Sequence, residues 1–347
     1  MPDFHFNGEG NSRMRRSSKI DGQQMKYLIL LTLSVLILNC SREKNPLGPS
    51  GTSDFAIYFL KDPSIRARQI INRDLTRIEL ETKPWLSSKD IDFYDFSTHC
   101  IYLKTDKSHF FENFKVPYQF PPSWVEKPFV VVAGGERCYI GFFHSGLLST
   151  ASVVPYIDEL DIGSYPEDVM HISRAWGNSQ DTRKDERVRN ALIEANLYHA
   201  GLNLRLNSVV VLENADTSTV QYKFTITNDD QDNLYIIDPD LMGSERFHYF
   251  TNGVVLWNET TQNLLESQYK TTTSPSPLKL EWFTKIESNQ SIQRTVTLKG
   301  YPKIPKGSYA CDFTFANPPV QRNQRLLTDG RIWIGKISSN RINMIVN

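Results

Sequence analysis

The chain has 347 residues, with 39 Lys plus Arg and 39 Asp plus Glu, so its formal net charge is zero. This balance creates no net field, and we expect neither nucleic-acid binding nor charge-driven attachment to an anionic surface. Aromatic residues make up 12% of the chain and β-branched residues are frequent, which favours strands over helices. Such a composition is that of a folded protein, not a disordered one.

An almost unbroken apolar run follows Lys26 and ends at Cys40. The order of features is that of a secretory signal: a positive charge, a short apolar core and a closing Ile-Leu-Asn-Cys at residues 37–40. The run of about 12 apolar residues is too short to span a bilayer as a helix, which takes roughly 20. The closing residues resemble the lipobox of bacterial lipoproteins. The resemblance implies that Cys40 is lipidated, becomes the new N-terminus and anchors the protein to a membrane.

One residue departs from the lipobox pattern, because Asn39 stands where a small residue is usual. The alternatives are an ordinary signal peptide, or a buried strand or helix ending in a core cysteine. Ser41 follows the cysteine, whereas Asp at that position is the enterobacterial signal for inner-membrane retention. We therefore expect a cell-envelope location, at the outer membrane in preference to the inner one.

The chain is predicted to have four parts. Residues 1–40 form a leader and signal peptide, with Met25 as an alternative start to Met1, and residues 41–53 form a flexible tether rich in Pro, Gly and Ser. The remaining 307 residues suffice for two domains. We expect an α+β domain at residues 54–201 and an all-β, immunoglobulin-like sandwich at residues 203–347.

Strands and helices alternate in the first domain without βαβ regularity. The clearest prediction is a hairpin of residues 128–133 and 137–143, whose turn at Gly134-Gly135 tolerates positive φ. Asp181 is expected to cap a helix at residues 183–199 that ends before Gly201. The other predicted elements are strands at 55–60, 75–80 and 168–173, a hairpin of 91–96 with 100–104, and helices at 63–72 and 107–114.

From residue 204 the pattern becomes a series of short strands separated by turn residues, which is typical of a β-sandwich. A final hairpin is expected from residues 332–336 and 341–346. The predicted strands before it are 204–212, 220–228, 234–237, 247–250, 254–257, 278–283, 291–298 and 309–315.

Several segments of this half carry a resemblance. Four segments follow one another: a strand ending in Thr-Asn at residue 228, Gly-Val-Val-Leu-Trp at 253–257, Thr-Val-Thr-Leu at 295–298 and Pro-Lys-Gly-Ser-Tyr at 305–309. This order is similar to bacterial immunoglobulin-like domains, of which the BsuPI-type proteinase inhibitor domain is one example. Over about 120 residues the resemblance implies the fold much more than it implies inhibition.

Metal and cofactor sites are not expected. The seven histidines include no HExxH motif, so no zinc site is predicted. Asp229, Asp230 and Asp232 lack the Gly and the distant Glu of an EF-hand loop, and we interpret them as a solvated hairpin turn.

Three cysteines remain besides Cys40. Cys100 and Cys138 could form a disulfide in an oxidising compartment, which would leave Cys311 unpaired; three buried, reduced side chains are the alternative. His99 is adjacent to Cys100, but neighbours on a strand point to opposite faces, which argues against a thiol–imidazole pair.

These features predict an envelope-anchored lipoprotein that is a non-catalytic binding or structural module, with a protein or envelope polymer as its partner. Clustered exposed aromatic residues would favour this function, the candidates being Tyr118, Phe120, Trp124 and Trp176. The alternative is an extracytoplasmic hydrolase or a proteinase inhibitor. A hydrolase would need Cys100 to meet a base or acid in one pocket, the candidates being Asp92, His99 and His144, and an inhibitor would need a rigid protruding loop.

Overall fold

The computed structural model describes residues 54–111, 125–147, 152–176, 180–213, 216–242, 253–268 and 278–347. All of these residues belong to the same structural unit. The predicted leader and tether, with Cys40, lie outside the described residues. Among the residues described, no helix is long and apolar enough to cross a bilayer.

Short strands and very short helices make up the first part of the fold. The strands are β1 (Ala56–Phe59), β2 (Leu86–Ser87), β3 (Ile91–Asp95), β4 (Cys100–Leu103), β5 (Pro128–Ala133), β6 (Glu136–His144), β7 (Tyr156–Asp158), β8 (Val169–His171) and β9 (Tyr198–His199). The α-helices are α1 (Ser108–Phe111), α2 (Glu159–Ser164) and α3 (Glu186–Glu194). Single 3₁₀ turns lie at Ala67–Gln69, Leu75–Arg77, Ser88–Asp90 and Thr182–Lys184.

These strands form two sheets, with strand orders β2-β1-β5-β6-β7 and β8-β4-β3-β9. The predicted hairpins β3–β4 and β5–β6 are confirmed, and both turn glycines of the second have positive φ, 57° and 77°. A continuous apolar cluster fills the space between the two sheets, and α3 closes it with Val188, Ala191 and Leu192. Burial of these apolar faces is what holds the sheets together.

Two predicted elements in this part are wrong. Residues 63–72 form only the 3₁₀ turn at Ala67–Gln69, because Arg66 is extended and its backbone N–H donates to Gln69 Oε1 at 2.6 Å. The strand predicted at 75–80 is replaced by a turn, because the Asp74 carboxylate accepts from the backbone N–H of Thr76 at 3.0 Å and starts a 3₁₀ helix.

The long predicted helix at 183–199 is confirmed in its middle only. Asp181 caps a 3₁₀ turn, and α3 begins later, where the Asp185 carboxylate accepts from the backbone N–H of Arg187 at 2.9 Å. It ends at Glu194, and Asn196 has a positive φ of 56°. The chain then continues into β9, which pairs parallel with β3.

The described residues of the range 202–347 contain thirteen strands and very little helix. The strands are β10 (Leu202–Glu213), β11 (Thr217–Asn228), β12 (Leu234–Ile237), β13 (Val255–Asn258), β14 (Leu264–Leu265), β15 (Phe283–Ile286), β16 (Ser291–Pro302), β17 (Gly307–Asp312), β18 (Thr314–Asn317), β19 (Leu326–Leu327), β20 (Gly330–Ile332), β21 (Gly335–Ser338) and β22 (Ile342–Val346). The helix α4 (Arg322–Arg325) and 3₁₀ turns at Pro239–Leu241 and Leu280–Trp282 interrupt them.

Several sheets arise from these strands, which confirms a β-rich fold. The longest ladder is antiparallel, in the order β10-β11-β16, and the others are β15-β12-β20-β19, β14-β13-β17-β22 and the pair β18-β21. One apolar cluster joins all of them, and it also takes in Phe93, Cys100, Tyr102 and Val169 from the first part of the chain. The two parts therefore share a core, and the boundary at residues 201–203 stays a prediction.

The predicted final hairpin is wrong, because its two strands belong to different sheets. β21 pairs with β18, whereas β22 pairs with β17. Between them, the Asn340 side chain bonds the backbone of Leu206 on β10, so the chain is held away from a hairpin turn. The strand predicted at 278–283 starts only at Phe283, and the one predicted at 247–250 lies outside the described residues.

Candidate functional site

A buried ion network connects the two parts of the chain. Arg331 on β20 donates through Nη2 to Asp95 Oδ2 at 3.0 Å and to Asp230 Oδ2 at 2.9 Å. All three side chains are at most 3% exposed, and the guanidinium lies over the Phe93 ring at 4.8 Å. Arg331 therefore neutralises two buried carboxylates from segments that are distant in the chain. The network forms only when both segments are packed against Arg331.

Asp230 has both carboxylate oxygens occupied. His199 Nδ1 is 2.9 Å from Oδ1, which also accepts from the backbone N–H of Asp232, and Oδ2 accepts from the backbone N–H of Gly201. Burial raises the pKa of Asp230, but the hydrogen bond from His199 and the charge of Arg331 outweigh it, so the pKa lies well below its usual range. The prediction of a solvated turn is therefore wrong for Asp230, which is only 1% exposed.

His199, Asp230 and Asp232 also form a set of the kind that binds metals, since their donor atoms lie within 4.8 Å of one another. The oxygens of Asp230 are already used by four donors, one of them the guanidinium of Arg331. A metal ion would therefore compete with a resident cation. The arrangement fits a structural ion network better than a metal centre.

A second buried ion pair repeats this arrangement. Arg325 on α4 donates to both oxygens of Asp168, at 2.6 and 3.3 Å, and stacks over the Tyr102 ring at 4.6 Å. Trp333 adds a hydrogen bond from Nε1 to Ser97 Oγ at 3.3 Å. The segment from α4 to β20 is therefore fastened to the first part of the chain by charge, stacking and hydrogen bonds together.

The cysteines are not arranged for nucleophilic chemistry. Burial raises the pKa of the Cys100 thiol to about 12, and burial lowers the pKa of His99 well below its ordinary value. His99 Nδ1 is engaged with the hydroxyl of Tyr94 at 3.0 Å. Asp92 is exposed on β3, so the structure does not gather the residues that a thiol hydrolase would need.

Of the two alternatives for the cysteines, the structure has the reduced one: Cys100, Cys138 and Cys311 are all free thiols. The physical reason is position. Cys100 lies on β4 and packs into the core of the second part, whereas Cys138 lies on β6 in the other sheet of the first part.

Ser173, His171 and Asp161 resemble a catalytic triad in composition only. His171 Nδ1 is 2.7 Å from Asp161 Oδ2 and 3.2 Å from Ser173 Oγ, and the hydroxyl also donates to the same carboxylate oxygen at 3.0 Å. A triad needs the carboxylate on one ring nitrogen and the hydroxyl on the other. Here both meet Nδ1, so no proton can be relayed through the ring.

His144 is likewise held in a structural pair. Its Nδ1 is 3.0 Å from Asp158 Oδ2, and the other oxygen of Asp158 accepts from the backbone N–H groups of Leu160 and Gly146. Asp158 therefore caps α2 and fixes the start of the loop after β6 at the same time. Sequence analysis gave no indication of this cap.

A groove of about 960 Å³ lies beside the two 3₁₀ turns of residues 67–77. Four of its six charged lining residues form two ion pairs, Lys61 with Glu79 and Arg77 with Asp74. These pairs are exposed and worth little energy, and both signs are present, so the groove favours no charged ligand.

Four large apolar side chains lie on segments that meet near the C-terminal end of β6 and are each more than half exposed: Leu147, Val153, Leu160 and Trp176. We call them the apolar patch. Trp176 Nε1 donates to the Tyr156 hydroxyl at 3.1 Å, and its backbone N–H donates to the carbonyl of Ser152 at 2.7 Å, so an exposed indole is held in place. Of the four candidate aromatic residues, Trp176 is 68% exposed, whereas Tyr118, Phe120 and Trp124 lie outside the described residues, so their clustering is not tested.

The apolar patch lies at the end of the sheet opposite to the point where the chain enters. Ala56 of β1 is level with Val132, which pairs with Arg137 of β6. His144, beside the patch, lies seven residues further along β6 and pairs with Asp158. At about 3.3 Å per residue, this places the patch about 23 Å from the level of Ala56.

Comparisons with known proteins add no relative. No protein-family model matches the chain, and no similar sequence is found among curated proteins.

Proposed function

We propose that this chain is a cell-envelope lipoprotein, anchored through Cys40, whose folded part is a non-catalytic binding module. The observation that carries the binding role is the apolar patch, with its fixed and exposed Trp176. Monomeric surfaces rarely leave several large apolar side chains together in water, and such clusters occur at interaction sites. A tryptophan held by hydrogen bonds loses little entropy on binding and is a frequent hot-spot residue.

The position of the apolar patch agrees with an anchor at Cys40. A tether of residues 41–53 would reach about 45 Å when fully extended and about 20 Å on average. The chain enters the fold at the opposite end of the sheet from the patch. In an anchored protein, a tether of this length would leave the patch free to meet a partner in the surrounding compartment.

The rim of the apolar patch suggests the chemistry of the partner. Helix α2, which presents Leu160, carries Glu159 and Asp161 and no basic residue. Arg174, two residues before Trp176, is exposed as well, so charges of both signs border the patch. We expect a protein or envelope-polymer partner whose surface is apolar at the centre and polar at the edge.

We also propose that β10 to β22 form an immunoglobulin-like sandwich, related in architecture to the BsuPI-type domain. The support is a long antiparallel ladder, β10-β11-β16, whose buried face packs in one apolar cluster with β13, β17 and β22. Two sheets that share one core are the defining feature of a sandwich.

The anchor is tested by metabolic labelling of cells with an alkyne fatty acid. We expect label on the wild-type protein and none on Cys40→Ala. A wild-type protein without label would overturn the lipid anchor and leave an ordinary secretion signal as the explanation of residues 25–40.

The binding role is tested separately, by placing a photoreactive amino acid at position 176 in intact cells. We expect a cross-linked product of one defined mass, and its loss when Leu160 is changed to Glu. The matched control is the same photoreactive residue at Leu280, which is about as exposed but lies far along the chain. Identical products from positions 176 and 280, or none from position 176, would contradict a binding site at the patch.

A further inference from the structure

Strand β10 is an edge of the three-stranded sheet β10-β11-β16. In the part of the chain that the structure describes, no strand pairs with β10 on the side away from β11. The edge contains residues 208–212, Ser-Val-Val-Val-Leu, with neither a charge nor a proline. Natural proteins usually protect such edges with charged residues, prolines, bulges or covering segments.

The first half of this edge is in fact covered. Asn340 Oδ1 accepts from the backbone N–H of Leu206 at 2.9 Å, and Asn340 Nδ2 donates to the Leu206 carbonyl at 3.3 Å. A β-bulge between Leu206 and Ser208 follows immediately. The side-chain amide and the bulge end at residue 208. Strands β21 and β22 pack close to β10 but do not pair with it, so the uncharged run has no second strand partner among the described residues.

The direction of the remaining backbone groups follows from the ladder. Leu206 points its N–H and C=O outward, since both bond to Asn340. Outward and inward residues alternate along an antiparallel pair. Past the bulge the register is Ser208 opposite Lys223 and Val209 opposite Tyr222, so Val209 and Val211 are the next residues with outward backbone groups.

Side chains on this run alternate as well. Val209 and Val211 are half-buried and pack on the apolar core, whereas Val210 and Leu212 are each about half exposed on the outer face. Val210 lies level with Gln221 of β11 and Thr297 of β16, both polar. Two aliphatic side chains thus stand at the margin of a polar face, next to the unpaired edge.

We propose that β10 pairs with β10 of a second copy of this chain, antiparallel and centred on Val210. In this register Val209 lies opposite the partner's Val211, and these two pairs exchange four backbone hydrogen bonds. Val210 faces the partner's Val210 across the two-fold axis. Two three-stranded sheets become one sheet of six strands.

Charge favours a second copy over an unrelated strand. In an interface with two-fold symmetry, residues close to the axis lie near their own copies in the partner. A charged side chain there would therefore meet an identical charge. Residues 208–212 contain no charge, and this is the condition that self-pairing requires. The pairing is short compared with a standard interface of about 1,600 Å². The dimer is therefore weak in dilute solution.

The decisive experiment exploits the axis at Val210. Full-length protein carrying Cys40→Ala, which removes any lipid, is studied by sedimentation equilibrium over a wide concentration range. We expect the wild-type sequence at position 210 to give a monomer–dimer equilibrium. Val210→Lys and Val210→Glu should each remain monomeric, because like charges then meet at the axis. An equimolar mixture of the two variants should recover the dimer.

Leu264 supplies the matched control, since it is 52% exposed on β14, at the opposite edge of its sheet from β22. Leu264→Lys and Leu264→Glu should dimerise like the wild-type sequence. The proposal is overturned by a wild-type monomer at about 1 mM, by a dimer that persists in Val210→Lys, or by a mixture that stays monomeric.

A second measurement does not depend on charge or on purification. Opposed residues in a non-hydrogen-bonded pair have Cβ atoms about 4.5–5.5 Å apart, close enough for a disulfide after a small shift. We expect Val210→Cys to form a covalent dimer in intact cells and Leu264→Cys to form none. Equal cross-linking at both positions, or none at 210, overturns the proposal without bearing on the apolar patch or the lipid anchor.

Discussion

At the scale of single residues, Arg331 has the largest structural role. Its guanidinium neutralises Asp95 and Asp230, which lie on different parts of the chain and are both fully buried. Removing a charge from such a network leaves the partners buried and uncompensated, and this costs far more than the ion pairs contribute over an apolar replacement. The residue therefore decides whether the two parts can pack at all.

We predict that Arg331→Met lowers the free energy of unfolding by about 3–5 kcal/mol. Met keeps much of the side-chain volume, so the loss reports the missing charge. Urea unfolding measures it. The control is Arg77→Met, whose side chain is 87% exposed beside Asp74, and which should change stability by less than about 0.5 kcal/mol. Equal losses for the two variants would contradict the role of Arg331.

The pH dependence of stability follows from Asp181. Burial alone would raise the pKa of this carboxyl. The hydrogen bonds from Arg183 and the charge of its guanidinium have the larger effect and lower the pKa to about 2. An unfolded chain has an Asp pKa of about 3.9, so the unfolded state binds the proton first as the pH falls. The contribution is complete above about pH 5 and is lost as the pH falls toward 2.

We therefore predict that the wild-type protein loses about 2 kcal/mol more stability than Asp181→Asn between pH 5 and pH 2. The measurement is the unfolding free energy of both proteins across that range. Parallel curves for the two proteins would show that Asp181 is not the titrating group.

Sequence analysis could not find these residues. Arg331 and Asp95 are 236 positions apart, and Arg325 and Asp168 are 157 apart. No local pattern marks a buried arginine, because burial depends on which strands become neighbours. The exposed Trp176 was identified, but the hydrogen bond from its indole to Tyr156 that fixes it was not.

At the scale of the elements, the sequence predicts those strands and turns that interactions between neighbouring residues determine. The β5–β6 hairpin follows from two apolar runs around Gly134-Gly135, and the alternation of residues 220–228 marks β11. Apolar and polar residues also alternate at 75–80, yet the segment begins with the 3₁₀ turn Leu75–Arg77, because the Asp74 cap competes with strand pairing. The pairing of β21 and β22 with different strands depends on distant partners, which periodicity does not contain.

Two glycines provide a contrast between elements. Gly201 joins β9 to β10 at φ +72°, and a Cβ there would lie 2.2 Å from Ser97 Oγ and 2.4 Å from Asp95 Oδ1. Gly163 lies in α2, and a Cβ added there would have no other atom within 4 Å. The first glycine is therefore required by the connection between the two parts, and the second is not.

We predict that Gly201→Ala lowers the unfolding free energy by about 2–4 kcal/mol, from backbone strain and from displacement of Asp95. Gly163→Ala should raise it by about 0.5–1 kcal/mol, because alanine suits a helix better. Thermal unfolding of the two variants distinguishes them by the sign of the change. A destabilised Gly163→Ala would contradict the open surroundings of that site.

At the scale of the whole molecule, the shared core and the two buried arginine networks predict cooperative unfolding. Residues from both parts contribute to one apolar cluster, and Arg325 and Arg331 cross between them. We expect amide hydrogens in β5 and β11 to exchange with the same free energy of opening. Hydrogen exchange with mass spectrometry measures this. A clearly lower value for either strand would instead support independent domains divided at residues 201–203.

Because α4 and β20 hold the first part in place, folding of that part depends on residues that are synthesised after it. Asp95 and Asp168 are made long before the arginines that neutralise them, since Arg331 follows Asp95 by 236 residues and Arg325 follows Asp168 by 157. Until those arrive, the early half must either keep two carboxylates in water or bury them unpaired. A chain cut short before residue 325 would thus be a substrate for quality-control proteases, and would not persist as a stable half-molecule.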